Sequence, residues 1–330
     1  LAYAVFVTDA AAFAGQSKTY LLPHRVGRDG CRCAGDLAAG GSVRFDSRRV
    51  ALNAFRGTRL VLRDGPVTDQ ALLDAVPPMH ARAGQIDLVL AGAAAQLFSG
   101  IDLAAVSLDK LRRDVPALGI RGVRVRQPLA APSVDLNAYR TLAAANIANA
   151  AVNRAAGEGG ADAGLRDKSH SRYTAEEFET LLDYIKDHPT HTLRGMVFVE
   201  GDVHFDEEVR VTIADGALVA AGDIAVGERA RLEVRHGQAA RGLPGLVAWE
   251  DGAIEIEENA TVIADGLVLA AGDVDIAAGV LDVIGAIAAK NFYNTDGTVV
   301  VRYDSGVLAT VGLRRVGKGL AERLTWQELY

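Results

Sequence analysis

The sequence predicts an all-β fold with a helical insertion, its β part a parallel β-helix (β-solenoid). A repeated segment, a fixed period and alternating apolar strands carry that prediction. "ADGALVAAGDIAV" at 214–226 returns as "ADGLVLAAGDVDI" at 264–276, with Ala, Val, Ile and Leu exchanged for one another. Similarity of that kind reports stacked copies of one unit. A shorter anchor recurs as "EGDVHF" (200–205), "AGDIAV" (221–226), "DGAIEI" (251–256) and "AGDVDI" (271–276). Its glycines, Gly201, Gly222, Gly252 and Gly272, are separated by steps of 21, 30 and 20 residues. The long step contains "RHGQAARGLPG" (235–245), a polar, Gly-rich run that reads as an inserted loop. Between corners lie strands such as "VRVTIA" and "LVLAAG", which send alternate side chains inward and outward. Corners this close leave no room for helices, and hairpins do not need identical turn chemistry at a fixed period. Parallel strands stacked at roughly 4.8 Å satisfy both facts.

Taken in order, residues 1–62 read as amino-terminal layers of the same kind, with "YAVFV" (3–7) as a strand and "GGSVRF" (40–45) as an anchor. Residues 63–131 read as an irregular mixed insertion. Residues 132–190 read as a helical insertion. "PSVDLNAYRTLAAANIANAAVNRAAG" (132–157) places Leu136, Tyr139, Leu142, Ile147 and Val152 at near-helical spacing. A polar, Gly-rich linker (157–171) is expected to be mobile. In "YTAEEFETLLDYIKDHP" (173–189), Thr174 and Glu177 form a capping box and Pro189 closes the helix. Residues 191–313 form the main β section, and 314–330 a tail that caps an end or docks on a neighbour.

Charge divides the chain. Residues 1–150 hold 18 Lys+Arg against 12 Asp+Glu, and residues 151–330 hold 17 against 30, giving +6 and −13 within the net −7. An acidic chain is a poor nucleic-acid binder, because phosphate attraction supplies most of that affinity. The basic stretch 47–63 carries one aromatic residue, Phe55, and reads as a solvated face. Uninterrupted apolar runs never reach the length of a membrane span. Leu1 stands where a start Met would, which reads as a processed or trimmed product. Cys31 and Cys33 are too close for an unstrained disulfide and too few for a tetrahedral zinc site.

The pattern "GMVFVEGDVHF", "GALVAAGDIAV", "GLVLAAGDVDI", "VIGAIAAKNFY" resembles the bacterial bactofilin-like β-helix domain of pilus-assembly-associated cell-surface proteins. "LAYAVFV", "AGDLAAGGSVRF", "VDLNAYRTLAA", "VRYDSGVLATVG" and "LTWQELY" are similar to that family's other blocks. The resemblance covers about two thirds of the chain. It implies a right-handed β-helix on the bacterial envelope or outside the cell, with no catalytic motif to carry over.

Enzymatic patterns in the chain are incomplete. "GLRRVGK" (312–318) fits a phosphate-binding loop, but Gly319 stands where the magnesium-binding hydroxyl belongs. "SLDK" (107–110) lacks the partners of serine acylating enzymes. Asp187, His188 and His191 surround Pro189, which ends the helix that would align them on a metal. His204 is expected on an outward face. Asp202, Asp215, Asp223, Asp265 and Asp273 recur with the corners and are expected to bond their own backbone. They are also the only candidates for the carboxylates of a sugar-cleaving β-helix. Trp249 and Trp326 are the only tryptophans, too few for a sugar-binding groove.

The resulting expectation is a non-enzymatic structural protein without cofactor or metal, with Gly201, Asp202, Gly222, Asp223, Gly252, Gly272 and Asp273 as structural corners. Its expected partner is itself, in a head-to-tail filament at the cell surface, with pilus or envelope proteins as further partners. Leu320, Leu324 and Trp326 are the expected cap or assembly residues. The alternatives are a monomeric pilus-associated adhesin or binding module and, less favoured, a carbohydrate-active enzyme.

Overall fold

The computed structural model describes residues 4–23, 37–39, 42–45, 50–51, 55–56, 59–62, 89–91, 124–126, 134–159, 163–237 and 243–304. The amino-terminal section holds β1 (Val5–Val7), β2 (Ala11–Phe13), β3 (Lys18–Pro23), β4 (Leu37–Ala39), β5 (Ser42–Phe45), β6 (Val50–Ala51), β7 (Phe55–Arg56) and β8 (Arg59–Leu62). A separate parallel pair follows, β9 (Val89–Ala91) and β10 (Arg124–Arg126). Next come α1 (Leu136–Ala145), α2 (Ala150–Gly159), α3 (Ala163–Arg166), β11 (Arg172–Thr174) and α4 (Ala175–Asp187). The carboxyl section opens with β12 (Leu193–Glu200), β13 (Val203–Phe205), β14 (Arg210–Ala220), β15 (Ile224–Val226), β16 (Arg231–Arg235) and β17 (Leu246–Ala248). It closes with β18 (Ile254–Ile256), β19 (Thr261–Ala270), β20 (Asp273–Ile276), β21 (Val280–Ala289), β22 (Asn291–Asn294) and β23 (Thr298–Tyr303).

The fold is mostly β, and its strands pair in parallel. One sheet runs β11-β12-β14-β16-β19-β21-β1-β4-β7, and the other runs β13-β15-β18-β20-β22-β2-β5-β8. In the carboxyl section each passage of the chain gives strands to both sheets, and residues in register repeat the same chemistry. Val211, Leu232, Val262, Leu281 and Val299 form one inward row, and Val203, Ile224, Ile254, Val274 and Phe292 another. All of these are buried, so their branched side chains close a narrow apolar core. The loop after Arg235 interrupts a strand without breaking the stack. β16 and β17, on either side of it, both pair with β14 and with β19.

Long strands bend at glycine corners. Gly285, opposite Gly266, has φ +150°, and a Cβ there would meet the Gly266 carbonyl oxygen at 2.0 Å. Beyond the corner, Leu267–Ala270 and Ala286–Ala289 are buried at every residue, as in a strand covered on both faces.

The order of stacking is not the order of the chain. β1, β2 and β3 do not start the stack; they continue it beyond β21, β22 and β23. Tyr303 faces Gly285 and Val5 faces Ile287, so one layer combines β23 from the carboxyl end with β1 and β2 from the amino end.

The helical segment covers the other end. α4 follows the expected capping box, with Thr174 accepting from the Glu177 backbone and Glu177 from the Thr174 backbone. Its buried face is Phe178, Leu181, Leu182 and Ile185. Phe178 packs edge-on against Phe205, the terminal core residue of its sheet, with ring centroids 6.4 Å apart. The single helix expected through 132–157 is instead two, broken after Ala145. Leu142 is 46% exposed and Ile147 72% exposed, so neither belongs to the core as their spacing suggested. The buried positions include Tyr139, Ala143, Asn149, Asn153 and Ala156. Within the stretch read as a polar linker, Leu165 of α3 is fully buried.

Candidate functional site

Among the described residues, the glycine–aspartate edge and the helix-covered end carry specific polar chemistry. The four anchor glycines share one edge. The Gly222 N–H donates to the Gly201 carbonyl at 3.1 Å and the Gly272 N–H to that of Gly252 at 2.9 Å. A Cβ on Gly252 would lie 2.2 Å from the Gly222 carbonyl oxygen. The ladder continues without a break into the amino-terminal section: Lys290 donates to Gly272 and Asp9 to Lys290, each at 2.9 Å.

Aspartates run along the same edge, and their bonding differs from the expectation. Rather than bonding their own turns, they accept from the neighbouring layer. Asp202 Oδ1 accepts from the Asp223 N–H at 2.9 Å, and Asp223 Oδ1 from the Ala253 N–H at 2.7 Å. Asp273 Oδ1 accepts from Asn291 Nδ2 at 2.7 Å, whose own Oδ1 accepts from the Ala10 N–H at 2.9 Å. Asp265 follows the same rule toward the His236 N–H at 3.1 Å. Parallel stacking puts the neighbouring layer's N–H within reach of a corner carboxylate, so the bond runs along the stacking direction. Asp215 takes a left-handed backbone with φ +50°.

Asparagines organise the covered end. Strand β12 has a bulge at Gly195, where its register on β14 shifts between Arg194 and Met196. There Asn149 imitates a neighbouring strand: its Oδ1 accepts from the Arg194 N–H at 2.8 Å, and its Nδ2 donates to the Arg194 carbonyl at 3.0 Å. Asn146 Nδ2 donates to the Arg194 and Met196 carbonyls at 2.7 and 2.9 Å. Asn153 ties the carbonyls of Lys168 and His170 and accepts from the Tyr173 hydroxyl at 2.9 Å. Burial of Tyr173 pushes its hydroxyl up to about 12. Backbone groups that would otherwise template another chain are thereby satisfied. The Asn146, Asn149, Asn153 spacing of three and four residues is the sequence signal for this device.

Beside the asparagines lies a shallow polar pocket of about 400 Å³ lined by Arg140, Glu200, Gly201, Asp202, Ala221, Gly222 and Glu250. Arg140 grips Glu200 through Nε and Nη2 at 3.0–3.2 Å, and Arg172 Nε adds a bond at 2.7 Å. Burial alone raises Glu200, but the hydrogen bonds and charges of Arg140 and Arg172 outweigh it and hold the carboxyl below its ordinary range. The Arg140 guanidinium also lies 5.0 Å over the Phe198 ring. Both arginines are thus committed to fixing the helical cap on the strands.

His188 and His191 come together around Tyr184: the Tyr184 hydroxyl is 3.2 Å from His191 Nε2, and His188 stacks on Tyr184 at 4.2 Å. Among the described residues no group of three or more His, Cys, Asp or Glu is placed to hold a metal ion. His204 is exposed, and Trp249 packs partly buried against the core. No described helix is long and apolar enough to cross a membrane. Leu320, Leu324, Trp326, Cys31, Cys33, Ser107 and the 312–318 loop lie outside the described residues. No family model, curated protein or solved structure matches the chain.

Proposed function

We propose that this chain is a non-enzymatic structural protein, a right-handed parallel β-helix that self-associates at a bacterial cell surface. The observation that supports the reading is the shared anchor edge: Gly222 bonds Gly201, the Asp223 carboxylate bridges to Ala253, Gly272 bonds Gly252, and Lys290 and Asp9 carry the ladder on from Gly272. Two parallel sheets sharing such an edge describe a rod whose long axis is the hydrogen-bond direction. Eight strands, seven steps of roughly 4.8 Å, span about 34 Å, the reach of the second sheet. The corner carboxylates of Asp202 and Asp223 accept backbone N–H groups, which suits fastening layers better than cleaving sugars. The similarity of the anchor blocks to bactofilin-like domains supports the envelope location and the pilus-related context.

The helical cap bears on how copies meet. A head-to-tail contact through both tips needs two exposed strand edges, and Asn146, Asn149 and α4 occupy one of them. Self-association therefore runs through another surface than that tip. Electron microscopy with light scattering on the purified protein tests the reading. Assemblies of rods support it, and isolated short rods at every concentration overturn it in favour of the monomeric pilus-associated module. Polysaccharide cleavage lost on Asp223→Asn or Asp273→Asn would instead revive the enzyme.

A further inference from the structure

At the composite layer the stack is continuous and the chain is not. β23 supplies its first side, then Asp304 leaves, and Ala4 begins the second side. Asp304 and Ala4 bond two nearby residues of the same strand, Gly285 and Ile287. None of the contacts among the described residues requires both parts to come from the same molecule.

The bonds holding the amino-terminal strands to the carboxyl section are numerous and specific. Thr8 N–H donates to Ala289, Ala14 to Asn294 and Lys18 to Gly297, at 2.9–3.0 Å. Gln16 N–H donates to Asp296 Oδ1 at 2.7 Å. Inside, Phe13 packs on Phe292 with ring centroids 5.8 Å apart. The inward rows are apolar elsewhere in the carboxyl section, but here Asn294 and Thr19 are buried and paired, Nδ2 to Oγ1 at 2.9 Å. A buried polar pair fixes register, since a slipped strand leaves an amide without its partner. The junction therefore recognises β1–β3 closely, and it does so across separations of up to 283 residues, from Ala4 to Ile287. Loop closure over such a distance is slow. A chain made from its amino end presents β1–β3 for roughly 15–60 s before 280–303 exists to receive them, at the usual 5–20 residues per second.

We propose that copies of this chain associate by strand exchange: β1–β3 of one copy complete the layer that β23 of a second copy begins. Every junction bond is kept, so exchange gains an interface with no new contact to evolve. Because the receiving layer and the donated strands lie on the same molecule, each copy can give and receive, which makes either a closed pair or an open chain. The inference rests on the self-associating reading above and names its mechanism.

Paired cysteines test it, in a background with Cys31→Ser and Cys33→Ser. Tyr20 and Val300 are register partners on β3 and β23, at a spacing a disulfide can bridge. The double variant Tyr20→Cys with Val300→Cys reports whether the junction is formed. The two single variants, unfolded together and refolded as a mixture, report who forms it. Exchange predicts a shift from monomer to covalent dimer on a non-reducing gel, with dimer rising with protein concentration during refolding. A mixture that stays monomeric while the double variant closes within single chains overturns the proposal. If light scattering still finds oligomers in that case, self-association stands and only exchange falls; if it finds monomers, both fall. Ala12→Cys and Tyr293→Cys, partners on the other sheet, give the same readout should the first pair disturb folding.

Discussion

The covered end and the composite layer solve the same problem in opposite ways. Both finish a parallel sheet that would otherwise present unpaired N–H and C=O groups. At the covered end the finish is made by side chains: Asn149 supplies one acceptor and one donor to Arg194, and its amide also donates to the Ser171 hydroxyl rather than to a further strand. At the composite layer the finish is another strand, which presents a fresh edge to β4, β5 and β6 in turn. A side-chain amide ends a sheet, whereas a strand postpones its end. The first device excludes a second chain, and the second admits one.

Five substitutions bear on that contrast. The largest effect is expected from Gly285→Val, which places a side chain against the Gly266 carbonyl in a backbone suited to glycine. It should lower stability by at least about 3 kcal/mol, read by urea unfolding, and release the amino-terminal strands to proteolysis. Phe292→Ala empties the contact with Phe13 and should cost about 3–5 kcal/mol in the same measurement. If the composite layer is closed within one chain, its unfolding midpoint should not depend on concentration. Asn149→Ala leaves Arg194 backbone groups unpaired at the other end and should cost about 1–3 kcal/mol. It should also expose a tip, so light scattering should report new end-to-end contacts; a destabilised variant that stays dispersed would remove the asparagines from this role.

The smallest effects are opposite in sign. Glu200 is held below its ordinary value, so its stabilisation is whole above the usual carboxylate range and fades as pH falls through the lowered value. Glu200→Gln should weaken the protein at neutral pH and have little effect in acid. Asp275, near the composite layer, is raised first by burial and then by Asp273, so its favourable state is the protonated one, lost as pH rises through the raised value. Asp275→Asn should strengthen the protein at neutral pH and leave it unchanged below the usual aspartate range. Urea midpoints across pH check both.

Sequence reasoning reached the repeating part of this structure and stopped where repetition itself hides information. The strands, the corner glycines, the inserted loop after Arg235 and the α4 capping box are all local patterns with a fixed period. Stacking order is not local. Leu218, Leu246, Val268, Ile287, Val5 and Leu37 follow one another in register, and any of them would pack as well in another's place. Polar exceptions such as Asn294 against Thr19 and Asn291 against Ala10 mark where the amino-terminal strands belong, and a lone Asn in a strand does not announce its partner. The covered end was missed for a related reason. Asn146, Asn149 and Asn153 lie on Ala-rich sequence, where periodicity assigns helix and cannot distinguish an amide facing water from one facing a strand end.

The meeting of Asp304 and Ala4 at one corner also sets how the molecule carries force. A pull applied between these two points would be borne by β23 and β1 and by the single layer they share. The layers from β12 to β20 on one side and from β4 to β8 on the other would feel almost none of it. Tension would open the molecule in its middle, like a seam, while both flanks stayed wound.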